Sequence, residues 1–493
     1  MIRFRRALVV LLAALGAAAS AQTPANAQPP SLRQDSIPPL PDSLRLYGDT
    51  LPTRPALPAF EAPAGAVRLT LEEAVAVALT RNPDQAVSAL EAVRALNDVT
   101  RGNAGYLPTL DASAALGGSR SGAFGGGGSD SSGFSGGART STALDAALGL
   151  GYTVYDGGLR EATYRRLQAD ARRLQLLADA DAEALALDVT AAYLDVSRQT
   201  GLVEALREAV EVSEDRLRIA RAEVQIGTSA QIDAALALAD YNADRALLLQ
   251  QQVRRAGARA ALGGLLALPS PEAVAVADTL VLGPPPPLDA LVAEAADGNR
   301  RVLAFELAED VAALAVDQVR SDYRPTVRAS AGVGLTLLDS GFLPPSLAPT
   351  LGPDLRYGVT ASLPLFDGGE RDRRLDVARI RLRQAELTTR GERVANRARA
   401  AGLAATARGF RALVGLETLN ERVARENVRV ALAQLRLGFI TPVDLRQVQL
   451  TLVDVRQRRV EAVYQTRLAE AELRLLAGDL LPPGYLPNGV VRR

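Results

Sequence analysis

The sequence predicts an internally duplicated α+β membrane protein. Four transmembrane β-strands per chain contribute to an oligomeric β-barrel, and long coiled-coil helices run from it. Three observations carry this. First, Leu71, Asn82 and Tyr106-Leu107-Pro108-Thr109 recur as Leu288, Asn299 and Tyr323-Arg324-Pro325-Thr326, a shift of 217 (Leu71 to Leu288). Farther on, Tyr155-Asp156-Gly157-Gly158 recurs as Phe366-Asp367-Gly368-Gly369, a shift of 211 (Asp156 to Asp367) that holds to Gly227/Gly438 and Asp233/Asp444. A register kept over such a distance marks a duplicated unit. Second, each copy carries segments alternating apolar with small or polar residues, over the roughly 9–11 residues a transmembrane strand needs. Third, residues 160–226 and 371–437 contain no proline; as continuous helix each is about 100 Å long.

Composition excludes several function classes. Among 493 residues there is no Cys, Trp or His, the one Met is Met1, and all 56 basic side chains are Arg. Disulfides, Cys/His zinc sites, Cys-His or Ser-His-Asp nucleophiles and a histidine general base are therefore impossible. A formal net charge of +0 supplies no bulk field for nucleic acid. The Gly125–Gly128 run lacks the Lys-Ser/Thr and the strand-then-helix setting of a phosphate loop. No enzymatic site, metal or cofactor is expected, and no nucleic-acid partner.

Arg3, Arg5 and Arg6, the apolar run Ala7–Ala18 and the Ala19-Ser20-Ala21 site read as a signal peptide over 1–21, with Ala27 as the weaker cleavage alternative. Residues 22–66 hold ten prolines and read as an extended leader. The first repeat spans 67–282 and opens on Thr70-Leu71-Glu72-Glu73, a capping box. Its strands are expected at about 109–118 and 141–155, flanking the Gly-rich stretch Gly117–Gly137, and its helical hairpin at about 158–268. The second repeat spans 283–480, with strands at about 325–338 and 355–366 and a hairpin at about 369–478; an irregular tail follows over 481–493. Asp156 and Asp367 stand before Gly-Gly as strand-to-helix turns. Along the second long helix Leu416, Val423, Val430 and Leu437 repeat every seven residues, shadowed by Val212, Ile219 and Ile226 in the first; this is coiled-coil patterning. Thr441 followed by Pro442 starts the last helix.

Four strands cannot close a membrane barrel, which needs at least about eight, and an open edge in lipid leaves backbone groups unpaired. Copies must therefore pool strands. On the strands Arg328 and Arg356 share the polar face and are assigned to the barrel lumen, where charge is tolerated.

From Arg68 to Gly478 the chain resembles the TolC-like outer-membrane efflux protein family. The resemblance rests on Leu69-Thr70-Leu71-Glu72-Glu73-Ala74 to Asn82-Pro83, Tyr106-Leu107-Pro108, the two Asp-Gly-Gly turns and Ala192-Tyr193-Leu194-Asp195-Val196. The two Gly-x-x-x-x-x-Asp tips complete it. It implies a homotrimer with a twelve-stranded barrel in outer-membrane lipid and a tube of helices, an α-helical barrel, crossing the periplasm. It also implies a passive channel of a tripartite efflux or type I secretion system, docked to a periplasmic adaptor (membrane fusion protein) and an inner-membrane transporter. A periplasm-spanning scaffold or surface adhesin without a pore is the alternative; a scaffold does not explain four alternating strands and their long loops, and an adhesin would use a Gly/Ser loop with few aromatics to bind with.

By the same resemblance the tips dock the adaptor through Ile226, Gly227, Thr228, Leu437, Gly438 and Phe439. The periplasmic gate falls on Asp233, Asp444, Leu435, Ile440 and Gln447. Leu435, Ile440 and Gln447 stand where the best-known members carry a tyrosine, an arginine and a constriction acid. The expectation is a gate held by apolar packing of Leu435, Leu437 and Ile440, with the aspartates drawing cations.

Overall fold

The computed structural model describes residues 60, 65–121, 139–340 and 350–481, all within the compact unit Ala59–Arg493. The signal-peptide reading, nearly all of the leader, the centre of the Gly-rich stretch and the tail beyond residue 481 lie outside them. Strand β1 (Val67–Leu69) leads into α1 (Leu71–Arg81) and α2 (Pro83–Asp98). At the start of α1 the Glu73 N–H donates to Thr70 Oγ1 (3.3 Å) and the Thr70 N–H to Glu73 Oε2 (2.9 Å), the reciprocal bonds of a capping box.

Strands β2 (Thr109–Ser121) and β3 (Arg139–Tyr155) follow, then α3 (Leu159–Gln225), α4 (Gln231–Leu265) and β4 (Val274–Val276). The second repeat contains α5 (Leu288–Glu294), α6 (Arg300–Ser321), β5 (Thr326–Ser340), β6 (Thr350–Ser362), α7 (Glu370–Arg436) and α8 (Pro442–Ala477). The last strand ends at Ser362 rather than continuing to 366, because Pro364 has no N–H to donate to a ladder. It begins five residues earlier than the alternation suggests, and β2, β3 and β5 also extend toward the strand-to-strand connections, because pairing to a neighbour continues past the apolar positions. Helices α3 and α7 are each 67 residues long and start at Gly158 (φ 99°) and Gly369 (φ 85°). Among the described residues no helix is long and apolar enough to cross a membrane.

The sheet order is β2-β3-β5-β6, antiparallel throughout. A short parallel pair, β1 with β4, escaped the sequence reading because three residues carry no period. It sits on the main core, where Ala74, Leu79, Val189, Tyr193, Leu262 and Val274 are buried together. Tyr193 explains part of the Ala-Tyr-Leu-Asp-Val motif. Its hydroxyl lies 3.0 Å from the Leu69 carbonyl and 2.9 Å from Asp278 Oδ2, and it accepts the Asp278 N–H at 3.1 Å. Burial pushes the phenol up to about 12.

The repeat-matched asparagines have a common task. Asn82 accepts the N–H groups of Asp84 and Gln85 and donates to the Leu265 carbonyl at the end of α4. Asn299 accepts those of Arg301 and Val302 and donates to Leu475 near the end of α8. Each therefore caps one helix and ties it to the returning arm of its own hairpin.

The two long helices differ in their glycines. Gly391, Gly402, Gly409 and Gly415 lie inside α7, and a Cβ at any of them would meet nothing within 4 Å. At the shift of 211 the matching positions in α3 are Ala180, Ala191, Arg198 and Glu204.

Candidate functional site

The sheet separates its faces cleanly. Register places Leu110, Ala112, Ala114 and Leu116 beside Leu144, Ala146, Leu148 and Leu150. The same face continues with Ala331, Val333 and Leu335, then Leu355, Tyr357, Val359 and Ala361. Its large side chains are exposed: Leu116 is 75%, Tyr357 83% and Val359 72% accessible. Such a contiguous apolar band is foreign to a water-facing surface. The opposite face carries Asp111, Ser113, Asp145, Gly149, Arg328, Ser330, Asp354, Arg356 and Thr360. Arg328 and Arg356 therefore share the polar face. Arg356 pairs with Asp354, and Thr336 donates to Asp145 at 2.7 Å.

Each strand-to-helix junction is clamped in the same way. Asp156 accepts the N–H groups of Gly158 and Arg160 and forms an ion pair with the Arg160 side chain at 3.0 Å. That guanidinium lies 5.2 Å from the centre of the Tyr106 ring, and the Tyr106 hydroxyl donates to Glu161 at 2.8 Å. In the second repeat Asp367 holds Arg371, which covers Tyr323 at 5.2 Å, while Tyr323 donates to Asp372 at 2.5 Å. The hydroxyl bond to Glu161 is the main cause that raises the Tyr106 pKa and lowers that of Glu161.

At the far end of the hairpins lie the tips. Gly227 (φ 79°) and Gly438 (φ 76°) end their helices in the left-handed region with open space around them, so backbone conformation rather than close packing requires glycine there. The Thr228 N–H donates to the Glu223 carbonyl, and the Phe439 N–H to that of Gln434. Ile226, Leu437 and Phe439 are exposed. Asp233 accepts from the Ser229 hydroxyl (2.6 Å) and the Ala230 N–H (3.2 Å). Asp444 accepts from the Thr441 hydroxyl (2.7 Å) and the Thr441 N–H (2.9 Å). The hydroxyl bond, then the amide, holds the Asp444 carboxyl below its usual range. Both acids are thus helix-cap partners within their own tips.

The expected apolar set divides. Leu435 is buried with Ala431 and Leu445, and Ile440 packs against them, whereas Leu437 faces outward. Leu435 and Ile440 therefore hold the α7–α8 tip to itself. Gln447 is exposed one turn along α8.

Sequence reasoning missed the polar link between the hairpins. Asp244 on α4, 5% exposed, accepts both Arg446 terminal nitrogens from α8 at 2.6 and 2.8 Å. It also accepts the Ser213 hydroxyl of α3 at 2.6 Å. That bond to Asp244 is the main cause that raises the Arg446 pKa. Nearby, Arg216 pairs with Asp240, and Arg456 joins Glu208 of α3 to Glu421 of α7. No sequence period marks partners some 200 residues apart.

The family model described as "outer membrane efflux protein" matches residues 74–268 and 291–479. The chain belongs to that family. It is an outer-membrane efflux channel protein, with its strands in the outer membrane and its hairpins reaching into the periplasm; the family is one of channels, not an enzyme class. No curated protein matches the sequence. Among solved structures it is similar to the Campylobacter jejuni CmeC outer membrane channel, with TM-score 0.70 and 15% identity over 85% of this chain and 87% of that one. It is also similar to VceC of Vibrio cholerae, at 0.67 and 18% over 83% and 96%. A third likeness is to the open-state MtrE channel of Neisseria gonorrhoeae, at 0.66 and 18% over 86% and 98%. These likenesses concern the fold.

Proposed function

We propose that this efflux channel works as a homotrimer, a passive conduit from periplasm to exterior, whose tips dock a periplasmic adaptor that couples it to an inner-membrane transporter. Three copies supply a twelve-stranded barrel, Arg328 and Arg356 face its lumen, and lipid covers the apolar sheet face. Docking uses Ile226, Gly227, Thr228, Leu437, Gly438 and Phe439. Passage is controlled at the tips, where Asp233, Asp444 and Gln447 line the mouth and Leu435 and Ile440 keep the moving tip intact.

The observation that carries the gate is the Asp244 cluster. Arg446 joins the α7–α8 hairpin to the α3–α4 hairpin through a carboxylate that is 5% exposed. A hairpin cannot swing while both bonds persist, and breaking them leaves a buried charge uncompensated. Closure thus rests on an ion pair between hairpins, while apolar residues stabilise each tip.

Single-channel recording tests this. Asp233→Asn with Asp444→Asn should lower cation selectivity with a modest change in conductance, because the asparagine amide oxygen can still accept the Ala230 and Thr441 N–H groups that the acids accept. Arg446→Ala should raise open probability. A widely open Asn variant beside a closed Arg446→Ala channel would make the tip acids the latch instead.

A further inference from the structure

The duplication specifies how the sheet's two free edges meet. Within the first repeat Thr109 pairs with Gly151, and within the second Thr326 pairs with Ser362. The two pairs are related by the shifts already seen in the sequence, 217 for the first strand of each hairpin and 211 for the second. Each hairpin therefore repeats the other's register to the residue. Between the hairpins the chain records one seam, β3 to β5, in which Leu148 faces Val333, Gly149 faces Gly332 and Leu150 faces Ala331. The remaining edges, β6 and β2, are the repeat equivalents of β3 and β5.

We propose that β6 of one copy pairs with β2 of a second copy in the register of the internal seam, so that Ala361 faces Ala114, Val359 faces Leu116 and Thr360 faces Ala115 of that copy. The proposal rests on the oligomeric reading above and adds its register. The face test supports it, since these partners match apolar with apolar and put Thr360 and Ala115 on the polar side. A one-residue slip would bring every apolar side chain against the polar face. Burial points the same way. The internal seam continues past a bulge to Tyr155 opposite Val327, and the equivalent positions are Phe366 and Leu110. Within one chain these are 87% and 72% exposed; Phe366, four residues past the end of β6, would lie beside Leu110 at the end of the seam and cover it there. The new seam differs in one position. Pro364 stands where the internal seam has Thr153, so it lacks one backbone donor at its periplasmic end.

The chain has no cysteine, so paired cysteines read the register directly. Opposed residues lie about 4.5–5.5 Å apart, within disulfide reach, whereas a partner two residues along lies at or beyond the roughly 7 Å limit. The intrachain pair L150C with A331C is the positive control. With mild oxidant in native membranes, A361C with A114C should convert most chains to covalent oligomers. A361C with A112C, or with L116C, should convert at least fivefold fewer. Light scattering of the detergent-solubilised protein separates the two levels of failure. An oligomer that links through A112C or L116C, or through none of the three while the control closes, overturns the register alone. A monomer in detergent overturns the oligomeric reading and the seam with it.

Discussion

Replacing Arg446 with alanine strikes a buried carboxylate that ties the hairpins together. Asp244 keeps the Ser213 hydroxyl at 2.6 Å but loses two charged donors at 2.6 and 2.8 Å. Removing one partner of a buried pair costs about 3–5 kcal/mol. The Arg446 side chain retains 20% exposure, so solvent screening lowers the figure to about 2–4 kcal/mol. If hairpin separation hydrates Asp244, that cost falls on the closed state alone, and the open-to-closed ratio rises by roughly 30- to 1,000-fold. Planar-bilayer recordings would show a long-lived open level at low voltage. Arg446→Met with Asp244→Leu is the counterpart, because apolar replacement of a whole buried pair is often neutral or stabilising; that double variant should close again. An Arg446→Ala channel with wild-type open probability and unchanged melting would refute the latch.

Three further outcomes follow from the same geometry. Gly227→Ala or Gly438→Ala should cost about 1–2 kcal/mol each through left-handed strain, seen as faster amide exchange confined to the altered tip and weaker adaptor crosslinking. Because the folded Asp444 pKa is depressed, its contribution is present above the unfolded value and is lost as pH falls through the folded one; exchange at Leu445 should rise below about pH 4, and Asp444→Asn should abolish that step. Tyr323→Phe and Tyr106→Phe each remove one solvent-exposed phenol-to-carboxylate bond; each should lower the melting temperature only slightly, and the losses should add in thermal melts because the clamps share no residue.

Much of the fold was legible because its signals are local or periodic. The Asp-Gly-Gly turns and Thr441-Pro442 state where helices begin, and alternation from Val327 to Leu335 states which side of the sheet is apolar. Strand ends were not legible at Ser362, where Pro364 stops the ladder although the alternation continues through Leu363 and Leu365. The site was harder. A heptad says that Leu435 lies near an apolar stripe but not which helix it meets, and the structure puts it inside its own hairpin tip. Asp244 and Arg446 look like two ordinary surface charges until helix packing brings them together.

The glycines of α7 have a mechanical consequence. Each interior glycine weakens a helix by roughly 0.5–1 kcal/mol relative to alanine, so Gly391, Gly402, Gly409 and Gly415 together remove about 2–4 kcal/mol of helical preference. Their counterparts in α3, Ala180, Ala191, Arg198 and Glu204, keep it, and α3 has one interior glycine of its own, Gly201. Two rods of equal length thus differ in bending stiffness, and a transverse load on the tips is shared unevenly. Under such a load the second rod yields more readily between Gly391 and Gly415 than the first does, so within each duplicated chain one half is the stiffer strut and the other the softer spring.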